Sequence, residues 1–217
     1  MTKLQRLLIL GICAIGLGGT PILADAAVAR IPGLSSAQNE EFDRTTEAIR
    51  QSVELTEQRR FEEARSLAEE AFVTRGNLLG IEHPEVLSAL SNIANIYYAE
   101  GDYGSAAALY DRVVMVTATN FVALGPESPN RRQAAIDSNR VFRAAAEPYI
   151  ALQDYENAIE LYKVALSVQE EALGTSHPEV ADTLEEFAAV YRVQGDDAAA
   201  LLLEERALSI RQPGAEN

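Results

Sequence analysis

The sequence contains two histidines, His83 and His177, the side chains best suited to acid–base or metal chemistry near neutral pH. Each stands in the same local context, His-Pro-Glu-Val, and the two copies are 94 residues apart. A catalytic pair or a shared metal needs side chains that meet in space, whereas a context that recurs along the chain indicates a recurring structural role. We therefore predict that both histidines support the start of a helix and that they form no metal site.

Adjacent acidic residues are the next candidates for chemistry. Neighbours on a helix point about 100° apart, so such pairs do not form a general acid–base couple and are typical of a solvated face. The pairs are Glu40-Glu41, Glu62-Glu63, Glu69-Glu70, Glu170-Glu171, Glu185-Glu186 and Glu204-Glu205. The sequence has one cysteine, Cys13, and it contains neither a glycine-rich phosphate loop nor a Gly-x-Ser-x-Gly nucleophile turn. We expect no enzymatic activity, no catalytic residue and no cofactor.

The net charge of the chain limits the classes of partner that it is expected to bind. The 217 residues include 33 acidic and 18 basic side chains, which gives a net charge of −15 at pH 7. Nucleic acids and anionic membrane surfaces both attract basic patches, so neither is expected as a partner. An apolar fraction of 47% and a charged fraction of 24% are typical of a folded protein.

The first 26 residues resemble a secretory signal peptide. Lys3 and Arg6 precede an apolar run, Leu7–Gly19, which is followed by small residues suited to cleavage. The cleavage position stays open among Ala24, Ala26 and Ala29. A retained anchor is the alternative, although a spanning helix needs about 20 apolar residues. We expect export to a bacterial periplasm or the extracellular space, with no membrane association after removal of the signal.

A long internal repeat dominates the rest of the chain. The segment Leu79–Val86 returns as Leu173–Val180, and Leu124–Pro129 is a degenerate copy between them. A second series of anchors recurs after 42, 52 and 42 residues, at Phe61, Tyr103, Tyr155 and Asp197. The spacing predicts four units, of which the third is ten residues longer.

Each unit has the pattern of two helices. In the second unit the apolar positions of the first helix follow a helical stripe, at Val86, Leu90, Ile93, Ala94 and Tyr97. Pro84 suits a first helical turn, and Gly101-Asp102 suits a helix end and a tight turn. Neither helix could bury its stripe alone, so the units must stack. For the third unit we predict a first helix over about Asn130–Leu152, bent or interrupted by Pro148, with Arg131-Arg132 projecting.

The unit Leu-Gly-x-x-His-Pro-x-Val, Leu-x-x-Ile-Ala-x-x-Tyr, Gly-Asp-Tyr and Ala-x-x-Leu-Tyr resembles the 42-residue tetratricopeptide repeat (TPR) of the kinesin-light-chain type. The resemblance covers roughly Asn39 to Gln212. It implies an all-α fold, a right-handed superhelical solenoid of about four antiparallel two-helix units. The expected units are 39–80, 81–123, 124–172 and 173–212, with a linker at 27–38 and a tail at 213–217.

The resemblance further implies a non-catalytic scaffold that binds a protein or peptide partner on a concave face lined by the first helix of each unit. The residues expected on this face are Asn92, Asn95, Tyr98, Arg140, Arg143 and Arg192. The two asparagines could contact the main chain of an extended peptide or could hydrogen-bond between repeats. Arg140 and Arg143 could hold a carboxylate of the ligand, or Arg143 could pair with a nearby acid such as Glu147.

A second interpretation is self-assembly into a homo-oligomer. The last helix is apolar on more than one face, and no polar capping helix follows it, whereas repeat arrays usually need capped ends. Leu201 and Leu202 are the residues expected to mediate this self-association.

Overall fold

The computed structural model describes residues 31–212. Within that range the chain forms eight α-helices and no strand. The helices are α1 (Ser36–Glu57), α2 (Phe61–Leu79), α3 (Pro84–Glu100), α4 (Tyr103–Ala123), α5 (Arg131–Ala151), α6 (Tyr155–Leu173), α7 (Pro178–Gln194) and α8 (Asp197–Arg211). The interpretation of residues 1–26 as a signal peptide and of 213–217 as a tail falls outside the described residues.

Each helix packs mainly against the next one in the chain, from α1 on α2 to α7 on α8. Loops of a few residues join the helices, so consecutive helices run antiparallel and form four hairpins. Their buried side chains form one cluster centred on α2–α4 and another spanning α5–α8, and a smaller cluster of Ala94, Tyr110 and Ala145 lies between them. The predicted all-α repeat solenoid is confirmed.

Fully buried alanines mark where the helices approach most closely. Ala64, Ala106, Ala158 and Ala200 occupy the same position in the second helix of the four units, and none of them is exposed to solvent. A methyl side chain at this point lets the two helical backbones lie near each other. Large side chains such as Tyr110 and Phe142 fill the wider spaces, as close packing of a protein interior requires.

The two histidines start equivalent helices. The Nδ1 atom of His83 accepts a hydrogen bond from the backbone N–H of Glu85 at 3.2 Å, and His177 accepts one from Glu179 at 3.3 Å. Each caps a backbone donor that has no partner within the helix, and a proline follows at the first helical position. The structural role predicted for both histidines is what the structure shows.

The structure corrects or refines three details of the sequence predictions. The first helix begins at Ser36, inside the segment expected to be a linker, because Ser35 and Gln38 form a reciprocal capping box. Helix α5 matches its predicted bounds, and it continues through Pro148 to Ala151. Arg131 does not project: it is buried, lies over the Phe121 ring at 4.3 Å and pairs with Glu171.

The caps provide a first test. Changing His83 to Ala should lower the free energy of unfolding by about 1 kcal/mol, because the Glu85 N–H loses its acceptor. His83→Asn should retain most of the stability, since an asparagine side chain can accept the same bond. Urea unfolding followed by circular dichroism measures both. Equal losses for the two variants would contradict a capping role.

Candidate functional site

Polar contacts join two pairs of first helices, α1 with α3 and α5 with α7. Between α1 and α3, the Asn92 amide Nδ2 donates to the Ser52 hydroxyl at 2.6 Å. Between α5 and α7, the Asn139 Nδ2 donates to the Thr183 hydroxyl at 3.2 Å. All four side chains are buried. These bonds fix neighbouring first helices against each other and so shape the face on which a ligand was expected.

The three residues predicted on this face in the second unit have different environments. Asn92 is 8% exposed and bridges two repeats, which is the second of its two expected roles. Asn95 is exposed, and its Oδ1 accepts a 2.6 Å hydrogen bond from the Tyr110 hydroxyl. Tyr98 is half-buried, with its ring 5.2 Å from that of Tyr103. Of the three, Asn95 is therefore exposed, Tyr98 is half-buried, and Asn92 is buried between repeats.

The three predicted arginines also differ. Arg143 on α5 pairs with Glu186 on α7, in place of the expected partner Glu147 on its own helix. Arg192 donates to both carboxylate oxygens of Glu204, at 2.8 and 2.6 Å. Arg140 is exposed and forms no hydrogen bond or ion pair with any residue of 31–212. Of the three guanidinium groups, only that of Arg140 is available as it stands.

A half-buried carboxylate, Glu147, lies near the Arg143–Glu186 pair. Within the described part of the chain Glu147 makes no hydrogen bond. Burial raises its pKa to about 7, the negative charge of Glu186 adds to the effect, and Arg143 opposes it. The pKa of Glu186 is raised as well, again chiefly by burial, although Arg143 lowers it. Two carboxylates thus share one guanidinium in a setting that disfavours their charged forms.

Two buried tyrosines interact electrostatically with Glu147. Tyr110 and Tyr162 are equivalent residues of the second and third units, and each is at most 4% exposed. Burial raises the pKa of both hydroxyls, and the charge of Glu147 contributes in each case. Glu186 also raises the pKa of Tyr162, whereas Arg143 lowers it. The Glu147 carboxylate therefore lies within electrostatic reach of both tyrosine hydroxyls.

Sequence reasoning named Glu147 only as a possible partner of Arg143 and Glu186 only as part of a solvated acidic pair. A signal was present in the repeat spacing, because Glu147 follows Asn95 by the same 52 residues that separate Tyr162 from Tyr110. The partner of the tyrosine hydroxyl in the second unit is thus replaced by a carboxylate in the third. We call Glu147, Glu186, Arg143 and Tyr162 the third-unit cluster.

The family model for the tetratricopeptide repeat matches residues 54–114 and 137–212. The chain belongs to the tetratricopeptide-repeat family. Members of this family generally act as protein–protein interaction scaffolds without catalysis.

Solved TPR structures show the same fold. The chain is similar to a variant of a Podosopora anserina protein described as kinesin light chain nearly identical TPR-like repeats, with a TM-score of 0.62, 23% sequence identity, and coverage of 81% of this chain and 78% of that one. It is also similar to BtubC (BKLC) from P. vanneervenii, with a TM-score of 0.58, 18% identity, and coverage of 80% and 65%. No curated protein matches the chain.

Three further features of this TPR array concern metal ions, membranes and the last helix. Among residues 31–212 no three His, Cys, Asp or Glu side chains lie together in a group able to hold a metal ion. None of the described helices is both long and apolar enough to cross a membrane. At the last helix, Leu201 and Leu202 are 52% and 67% exposed, and Leu208 is 55% exposed.

Because of the Glu147 carboxyl, we expect the free energy of unfolding to depend on pH. Its folded-state pKa, about 7, lies above its ordinary value of 4.5, so between these pH values the folded protein binds more protons than the unfolded chain. The stability that this proton binding provides is fully present below pH 4.5 and is lost as the pH rises through about 7. Glu147→Gln should therefore raise the free energy of unfolding by about 1–3 kcal/mol at pH 8 and change it little at pH 4.5.

Chemical denaturation across this pH range measures the difference between the two proteins. Glu127→Gln is the control, because Glu127 is exposed in a loop and the variant carries the same change of net charge. A stability difference that does not depend on pH would contradict the assignment.

Proposed function

We propose that this TPR protein is a non-catalytic scaffold that binds an extended peptide segment of a protein partner along the face formed by α3, α5 and α7. The proposal rests on one observation: these helices carry two kinds of polar residue. One kind, such as Asn92 and Asn139, is buried and holds the helices together. The other, Asn95 and Arg140, is exposed, and Asn95 also accepts the hydrogen bond of Tyr110.

Such a face suits an extended peptide for a physical reason. The main chain of an extended segment has unpaired N–H and C=O groups, and an exposed amide such as that of Asn95 can donate to one and accept from the other. The helices that carry these side chains are held in place by their neighbours, so little conformational entropy is lost on binding. Arg140 adds a fork of donors for a carbonyl or a carboxylate.

A selection of random dodecapeptides displayed on phage provides ligands for the test. Arg140→Ala should weaken the enriched peptides at least fivefold, a loss of about 1 kcal/mol, because the face loses an exposed donor group. Fluorescence polarisation measures the affinities. Arg112→Ala is the matched control, since Arg112 is an exposed arginine on the second helix α4 that has no ion pair with a described residue. If both variants lose affinity equally, or neither does, the proposed face is wrong.

Self-assembly through α8 is a second candidate function. The exposed leucines of this helix, Leu201, Leu202 and Leu208, favour it, because each is at least half exposed. Only Ala200 and Ala207 of α8 are buried, so the helix covers the α7 side of the array and leaves apolar side chains on its other side. Apolar groups left on a solvated surface favour association with a like surface.

Light scattering tests this candidate. If α8 mediates association, the unmodified protein should be a dimer or larger, and Leu202→Glu should shift it to the monomer, because a charge would enter the apolar contact. Val122→Glu is the control, since Val122 is 73% exposed at the end of α4, away from α8. A protein that is monomeric with and without Leu202→Glu would exclude self-assembly through this helix.

A further inference from the structure

Two polar groups of the third-unit cluster have no hydrogen-bond partner among residues 31–212. One is the Glu147 carboxylate on α5, and the other is the hydroxyl of Tyr162 on α6. Tyr162 is only 4% exposed, and its ring stacks on Phe187 at 5.5 Å between centroids, so the side chain is held in place. Glu147 is half-buried, and neither its carboxylate nor the Tyr162 hydroxyl is fully enclosed, so both oxygens remain open to a donor group from outside the fold.

The charges of the cluster do not balance. Glu147 and Glu186 supply two carboxylates, and Arg143 supplies one guanidinium, which is bonded to Glu186. Glu147 forms no ion pair with a described residue, although the charge of Arg143 lowers the pKa of its carboxyl against the larger, raising effect of burial. Since the whole chain carries a net charge of −15, its long-range field also favours a cation at this place.

The corresponding position in the second unit shows what a balanced arrangement looks like. There Asn95 accepts the hydrogen bond of Tyr110, and no formal charge is involved. In the third unit the equivalent pair is Glu147 and Tyr162, and no hydrogen bond joins them. The cluster thus offers a carboxylate and a hydroxyl oxygen as acceptors, and it lies on the face proposed above for peptide binding.

We propose that the third-unit cluster binds a positively charged side chain, arginine or lysine, of the partner's extended segment, with Glu147 as its counter-ion and the Tyr162 hydroxyl as a further acceptor. The inference rests on the proposed function and adds to it the chemistry of the ligand. A bound cation supplies the missing partner of Glu147, and the half-buried setting strengthens their attraction relative to bulk water. The Arg143–Glu186 pair stays intact and limits the site to one cation.

An anionic group is a poor fit at the same place. Arg143 is already bonded to Glu186, and a carboxylate ligand would have to displace that carboxylate while lying beside Glu147. Like charges at such a distance oppose each other, so the exchange would be unfavourable. Arg140, which has no such competitor, is the separate place on α5 where a ligand carboxylate or carbonyl could bind.

The test uses N-acetyl-arginine methylamide as a probe and its uncharged citrulline analogue as the control ligand. The full chain is titrated with each probe at about pH 8, where the Glu147 carboxyl is ionised. Nuclear magnetic resonance follows the carboxyl signals of the glutamates and the ring signals of Tyr162. We expect the arginine probe, and not citrulline, to shift the signals of Glu147 and Tyr162, and Glu147→Gln to weaken binding at least fivefold.

The phage-selected peptides separate this inference from the proposed function. Enriched peptides that contain arginine or lysine and bind Glu147→Gln at least fivefold more weakly, with Glu127→Gln unchanged, support both. Enriched peptides with no basic residue, or an arginine titration that leaves the Glu147 and Tyr162 signals in place, overturn the cation site and leave the binding face. A positive titration without any enriched peptide overturns the peptide-binding function and leaves a site for a basic side chain.

Discussion

Every helix within residues 31–212 depends on a neighbour to bury its apolar stripe, and that constraint shapes the rest of the described structure. The second helices approach the others through alanines that have no exposed surface, Ala64, Ala106, Ala158 and Ala200. Because an alanine carries little surface of its own, the stabilisation comes from the larger side chains that the close approach brings together, such as Tyr110, Phe142 and Leu184. The array is thus a row of nearest-neighbour contacts, in which a change in one unit is felt mainly by the units beside it.

Equivalent positions of the repeated backbone carry different polar side chains, so the polar contacts between units differ in their chemistry. Arg75 on α2 donates to the hydroxyls of Thr45 and Thr46 on α1, each at 2.8 Å, and to Glu85 on α3. The equivalent residue 94 positions later is Gln169, which donates only to the Glu179 carbonyl at 3.4 Å and whose Oε1 has no partner among the described residues. The shorter side chain at this position therefore joins two helices, α6 and α7, where the arginine joins three, α1, α2 and α3.

The architecture could be predicted from the sequence because it depends on local signals that recur. The His-Pro start, the Gly-Asp turn and the alanine row each act within a few residues, so their spacing fixes the helices and their order. The residues of the site were harder to assign, since their environments depend on contacts between units. Nothing within α3 shows that Asn92 meets Ser52 of α1, and nothing within α5 shows that Arg143 chooses Glu186 over Glu147, one turn away on the same helix. Arg131 was misplaced for the same reason, because its contacts Phe121 and Glu171 belong to α4 and α6.

Glu147 departs from the type of residue that the other units carry at the same position. The equivalent residues in the other first helices are Val53, Asn95 and Ala189, none of which carries a charge. A neutral side chain therefore fits this position in three of the four units, and in the third unit the fold accommodates a half-buried charge that lowers its stability near neutral pH. Departures of this kind are expected where a residue serves binding more than packing. Glu147 lies one helical turn from Arg143 on α5 and within electrostatic reach of Glu186 and the two buried tyrosines, so on the proposed binding face its half-buried charge would strongly influence which ligand is accepted.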